Sequence, residues 1–145
     1  MKINLTPIGF VKNAVTEPQG EDWQTITSEI IVNEDMNEAL SGIDEFSHII
    51  VIYWMHKTPA SERSIKKVHP KRNLNLPLVG VFATRSPARP NPIGIATIKL
   101  LECRDNILKV IGLDAIDGTP VLDIKPHIPG SDSPTPARIP GWLTK

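Results

Sequence analysis

Residues 82–94 read FATRSPARPNPIG, two arginines and an asparagine set among three prolines and closed by a glycine, directly after an apolar run. Proline fixes φ and pushes the residue before it towards extended conformations, so Ser86, Arg89 and Asn91 are restricted along with Pro87, Pro90 and Pro92. Gly94 then permits a backbone geometry that larger residues resist. A loop this stiff loses little entropy on binding. It carries Arg85 and Arg89, whose planar forked donors suit a carboxylate or a phosphate. The same pattern also suits a rigid barrel corner whose arginines pair with acids of the same chain.

A second group lies at 112–129, GLDAIDGTPVLDIKPHIP, where Asp114, Asp117 and Asp123 recur near strand ends. Asp117-Gly118 reads as an ordinary turn. Asp114 stands in an apolar strand context, where an unpaired carboxylate is costly. It therefore requires a partner, either an arginine of the proline-rich loop or the amine of a ligand. No compact D-x-D or H-x-x-H spacing supports a divalent metal. A third group, YWMHK at 53–57, puts His56 and Lys57 at the exit of the most apolar run, with Tyr53 and Trp54 able to flank a flat ligand. A histidine in that place is also a common structural residue. No G-x-S-x-G elbow occurs, and Cys103 has no activating base in view. Neither G-x-G-x-x-G after a strand nor G-x-x-x-x-G-K-[ST] occurs, which argues against a Rossmann cofactor site and a P-loop.

The elements that must hold these groups are short and β-like. INLTPIGFV (3–11) reads as an opening strand bent at Pro7 and Gly9, and 14–25 as a loop. ITSEIIV (26–32), SHIIVIYWMH (47–56) and LVGVFAT (78–84) read as strands. GIATIKLLECR (94–104) and ILKVIGLDA (107–115) read as a hairpin about Asp105-Asn106, and TPVLDIKPHI (119–128) as the last strand. NEDMNEALSG (33–42) is the one short helix expected, with Asn33 as cap and Gly42 at its end. The fold class that follows is mainly β, an antiparallel barrel or strongly curled sheet with long rigid loops. At 145 residues a single domain is expected over 1–145, with a proline-rich C-terminal segment from about 130.

Formal net charge is zero, so no global field draws the chain to nucleic acid. One strip is basic: RSIKKVHPKR (63–72) holds Arg63, Lys66, Lys67, Lys71 and Arg72 without an acid. It reads as a phosphate-contact surface or as a solvated loop. No run is long and apolar enough to span a bilayer, MKINLTPIGF lacks the features of a signal peptide, and a lone cysteine fits a reducing compartment. A cytoplasmic location is expected.

FSHIIVIYWMH, LVGVFATRSPARPNPIG and GLDAIDGTPVLDIKPHIP, in this order and spacing, closely resemble the TrmO family, also called YaeB or TsaA-like. The match runs from TPIGFVKN to IKPHIP. The resemblance implies a small β-barrel that dimerises and binds S-adenosylmethionine. In the characterised bacterial type it also implies methylation of N6 of threonylcarbamoyl-adenosine at tRNA position 37. It implies cofactor contacts from His56, Lys57, Arg85, Ile95, Leu113 and Asp114. Gln19 joins them where the family's early P-R-Q motif is loosely matched by EPQGEDW. Bacterial members of the tRNA-modifying type continue into a C-terminal extension past the point matching GWLTK. With that cofactor in place, Arg85 suits its carboxylate and Asp114 its ammonium or a ribose hydroxyl. Arg89 and Asn91 are the candidates for positioning the acceptor amine, and the strip at 63–72 for contacting tRNA phosphates.

Overall fold

The structure is a computed structural model that describes residues 1–18 and 22–144. Its strands are β1 (Gly9–Lys12), β2 (Thr27–Val32), β3 (His48–Trp54), β4 (Lys67–Val68), β5 (Val79–Gly80), β6 (Ile93–Arg104), β7 (Ile107–Ile111) and β8 (Pro120–Pro126). Six of them close an antiparallel barrel in the order β1, β2, β7, β6, β3, β8, and β4 with β5 forms a separate two-stranded ribbon. The closure is the pairing of Gly9 with Val121 and Phe10 with Pro120.

The barrel forms because apolar residues recur with period two. Along β3, Ile49, Val51 and Tyr53 are buried while His48, Ile50, Ile52 and Trp54 alternate to the outer face. Val11, Ile30, Ile98, Leu108 and Val110 fill the interior from the other strands. Each fully buried aliphatic side chain contributes roughly 1.5–3 kcal/mol of hydrophobic stabilisation. Gly9 is needed where β1 pairs with β2, since a Cβ there would run into the Ile31 carbonyl. No helix among the described residues is long and apolar enough to cross a membrane.

Several elements differ from their expected form. The opening strand begins only at Gly9, because Pro7 has no N–H to give a ladder. The segment 33–42 is helical but winds as a seven-residue 3-10 helix, Glu34–Leu40, and buries only Leu40. A segment with one apolar contact to the core has little to pull it into a longer α-helix. The run 78–84 is strand only at Val79–Gly80 and then turns as a 3-10 helix, Val81–Ala83. Val81 is buried there while Phe82 is 81% exposed, so no period-two face persists. The hairpin's second strand stops at Ile111, where Gly112 takes φ 95°. Asp114 therefore lies in a connecting segment and not in a strand.

Antiparallel order puts the exits of β1, β3 and β7 and the entries of β2, β6 and β8 at one end of the barrel. The connections that carry 55–57, the basic strip 63–72, the proline-rich loop 82–92 and 112–119 all attach at that end. Leu113, Ala115, Ile116 and Thr119 are buried and plug it.

Candidate functional site

Hydrogen bonds staple the end of the barrel together. The Asn13 side chain donates to Ser28 Oγ at 2.9 Å and to the Ala115 carbonyl at 2.8 Å, while its backbone N–H donates to Asp117 Oδ1 at 3.0 Å. Met55 N–H donates to the Pro92 carbonyl at 2.7 Å, tying the exit of β3 to the proline-rich loop. Tyr53 Oη donates to the Asp114 carbonyl at 2.7 Å. Its ring occupies the space above Gly94, where a Cβ would sit 2.5 Å from the ring. Tyr53 is thus an interior anchor for Asp114 and not the ligand-flanking ring expected of it. Burial, reinforced by the Asp114 charge and opposed by Arg85, raises its pKa far above the usual phenol value, so it stays a donor.

The proline-rich loop is held by its own polar groups. Thr84 Oγ1 donates to the Val81 carbonyl at 2.8 Å, Ser86 N–H donates to Thr84 Oγ1 at 3.2 Å, and Ala88 N–H donates to Ser86 Oγ at 3.1 Å. Arg89 Nη1 donates to the carbonyls of Thr84 and Ser86, each at 3.0 Å. Half-buried Arg89 therefore spends part of its fork on holding the loop. Arg85 is exposed, and among the described residues no acid pairs with it. Asn91 is exposed at the loop's far end, and Pro92 beyond it is buried.

Two further groups at this end of the barrel lack a partner among the described residues. Asp114 has no cation beside it among the described residues, and partial burial of its carboxyl raises its pKa. Its backbone neighbours are buried while the residue itself opens to solvent on one side. His56 Nδ1 is buried with no hydrogen-bond partner among the described residues. Burial first, and the Lys57 charge second, lowers the His56 pKa, which keeps the imidazole neutral at pH 7. Lys57 is exposed next to it. Among the described residues, a guanidinium without an acid, a carboxylate without a cation and an orphaned ring nitrogen stand at one barrel end, a set whose chemistry suits a ligand that carries both charges.

Other expected site residues are arranged differently. Leu113 is fully buried beneath Asp114, so its side chain supports that residue from the core. Ile95 is 47% exposed on the outer wall, opposite Ile52 and one alternation below Ile93 and Trp54. Gln19 lies outside the described residues. The three aspartates have separate roles. Asp117 accepts from Asn13, Asp123 lies 3.3 Å from Lys125, and Asp114 alone is unpaired. No group of three or more His, Cys, Asp or Glu among the described residues is arranged to hold a metal. Cys103 lies near the opposite end, its thiol pKa raised by burial and by Asp44 and Asp105.

Within the basic strip, Lys66, Lys67, Lys71 and Arg72 are exposed and without an acidic partner among the described residues. Lys71 and Arg72 both take positive φ, 57° and 55°, an uncommon and strained backbone for two consecutive non-glycine residues. Arg63 stands apart from them. Its guanidinium carbon is 5.5 Å from the Trp54 ring centroid, and its Nε donates to the Pro90 carbonyl at 2.7 Å. Sequence reasoning missed Asn13 and the Trp54–Arg63 pair. A lone asparagine after a strand, or an arginine in a basic run, carries no mark of its partner.

Residues 9–133 match the family model of the tRNA-methyltransferase O N-terminal domain. A probable S-adenosyl-L-methionine-binding protein of Methanothermobacter thermautotrophicus is 42% identical over 137 residues, 92% of this chain and 96% of that protein. The mouse tRNA (adenine(37)-N6)-methyltransferase is 47% identical over 96 residues, 66% of this chain and 22% of the mouse protein. The crystal structure of TrmO from Pseudomonas aeruginosa superposes with a TM-score of 0.78 at 30% identity, covering 98% of this chain and 62% of that one. The present chain thus spans under two thirds of that crystallised protein. A barrel of this topology and a family match across most of its length agree, and the chain belongs to the family of the tRNA-methyltransferase O N-terminal domain.

Proposed function

We propose that the protein is an S-adenosylmethionine-dependent methyltransferase that acts on N6 of adenosine 37 in tRNA, with threonylcarbamoyl-adenosine as the acceptor. The observation that carries this reading is the set at the barrel end that is unpaired among the described residues: Arg85 without an acid, Asp114 without a cation and His56 Nδ1 without a partner. S-adenosylmethionine presents the complementary groups, a carboxylate, an ammonium, ribose hydroxyls and a flat adenine. When bound it supplies a methyl on a sulfonium, already activated for direct displacement.

In this reading Arg85 holds the carboxylate and Asp114 the ammonium or a ribose hydroxyl. His56 and Lys57 close the polar side, Ile95 contributes apolar surface from the outer wall, Leu113 supports Asp114 from beneath, and Gln19 contributes from the segment of sequence between β1 and β2. Arg89 and Asn91 position the acceptor amine, the Asn91 side-chain carbonyl accepting one of its hydrogens. Alignment of the acceptor is the protein's main contribution to rate. Lys66, Lys67, Lys71 and Arg72 contact tRNA phosphates. The active form is a cytoplasmic homodimer, in which a second copy covers exposed Phe82, Ile93 and Ile95 and presents a second basic strip. A second reading, a cofactor-binding module or a transferase for another acceptor, is favoured by the description of the Methanothermobacter relative as a binding protein.

Transfer of labelled methyl to tRNA with and without threonylcarbamoyl-adenosine at position 37 tests the proposal. Label confined to the modified tRNA supports it. Cofactor binding without label in either tRNA supports the second reading instead.

A further inference from the structure

Arg63 belongs by sequence to the basic strip, yet its guanidinium makes three contacts away from it. It lies over Trp54 at 5.5 Å from the ring centroid, within reach of a cation–π contact. Nε donates to the Pro90 carbonyl at 2.7 Å, and Nη2 reaches Asn91 Oδ1 at 3.4 Å. These contacts join three segments: the 3-10 helix Ala60–Ser64, the end of β3, and the part of the proline-rich loop that precedes β6.

The chemistry of this loop makes the contact consequential. Pro90 and Pro92 have no N–H, so Arg63 supplies from outside a donor that the prolines cannot. The loop's nearer half is held by Thr84, Ser86 and Arg89. Its far half, Pro90–Asn91, is held by Arg63 and by the short Ile93 N–H to Asn91 carbonyl bond of 2.6 Å. The Asn91 side chain has a second consequence. An amide whose oxygen faces a fixed cation cannot exchange O for N without setting its NH2 against the guanidinium. The orientation of that amide decides whether an acceptor amine meets an acceptor or a donor.

We propose that Arg63 is a positioning residue: clamped on Trp54, it orders the Pro90–Asn91 half of the loop and fixes the Asn91 amide for the methyl acceptor. This rests on the methyl-transfer reading for its consequence, and on contacts within the chain for its premise. Arg63 is accordingly not a phosphate contact, unlike Lys66, Lys67, Lys71 and Arg72.

The experiment compares wild type, Arg63→Ala, Arg63→Lys, Asn91→Ala and the double variant Arg63→Ala/Asn91→Ala. The readouts are hydrogen exchange of 88–95, methyl transfer to tRNA, and the salt dependence of tRNA binding. Arg63→Ala is expected to speed exchange in 88–95 and to lower kcat about tenfold, with the S-adenosylmethionine Kd within about twofold. Lysine keeps the charge but not the fork, so Arg63→Lys recovers part of the loss. The double variant is no worse than Asn91→Ala alone, as expected of residues acting as a unit. The salt slope of tRNA binding stays at the wild-type value in Arg63→Ala and falls in Lys67→Ala. Unchanged exchange in Arg63→Ala overturns the proposal whatever the activity. So does a lower salt slope with kcat intact, or additive losses in the double variant. If wild type transfers no methyl, the proposed function fails, and the exchange measurement alone decides whether Arg63 orders the loop.

Discussion

A carboxylate with buried neighbours and no cation beside it lowers the stability of the fold that holds it, and Asp114 is in that position. Its folded pKa is raised by burial, so the folded state binds the proton more tightly than the unfolded chain does. The stability it allows is complete below the ordinary carboxylate pKa and is lost as pH rises through the raised folded value. Asp114→Asn should therefore raise the melting temperature at pH 7, with the gain vanishing at acid pH, and should weaken S-adenosylmethionine binding at least tenfold. Melts at both pH values check this, and an equal shift at both would contradict it. His56 has the opposite sign of shift: its lowered pKa means stability is lost as pH falls from the ordinary imidazole value through the depressed one. Protonation would also set a charge beside Lys57 at the end proposed to bind the cofactor, so cofactor affinity should be flat above neutrality and fall below the ordinary imidazole range. A titration from pH 8 to about pH 5 tests this, and His56→Gln should flatten it. Much of this was legible in the sequence. Arg85, His56 and Asp114 stand out because charged residues at the ends of apolar runs need partners. Their lack of partners among the described residues did not, because it depends on where the other strands end.

At the scale of elements, the packing of β3 on β6 sets the site, and one glycine controls it. The Tyr53 ring fills the volume a side chain at 94 would need, and its hydroxyl holds the Asp114 carbonyl. Gly94→Ala should therefore destabilise the fold by about 1–3 kcal/mol through overpacking. Tyr53→Phe leaves the Asp114 carbonyl without its donor and should cost about 1–3 kcal/mol. Urea unfolding measures both, and a neutral Gly94→Ala would show that the ring can move aside. The strands at 26–32, 47–56, 94–104 and 119–128 were legible because alternation over one buried face is a strong pattern. The run 78–84 was not, since its apolar residues serve a ribbon and an exposed turn instead of a barrel wall. The helix at 33–42 was legible as a helix but not as a 3-10 one, a distinction set by how little of it the core contacts. The opening strand is shorter than its apolar pattern suggests, because the ladder begins only at Gly9, past Pro7.

For the molecule as a whole, zero net charge leaves nucleic-acid binding to local patches. Phosphate contacts by the exposed lysines and Arg72 predict that tRNA affinity falls steeply with salt, and that Lys66→Ala/Lys67→Ala reduces the slope by about two. A salt-independent affinity would remove the strip from the account. The short alternating segments made an antiparallel barrel or a strongly curled sheet legible, and the family resemblance pointed to the closed form that the structure has. The gathering of four distant segments at one end was not, because it follows from strand order, which the sequence encodes only through non-local pairing. The account depends on that end gripping a charged methyl donor. The most direct test is calorimetric titration of S-adenosylmethionine into the wild-type protein and into Arg85→Ala. One site per chain in the wild type, weakened at least tenfold in Arg85→Ala, is the predicted result. Absence of binding to the wild type, or equal affinity in both proteins, would contradict the account.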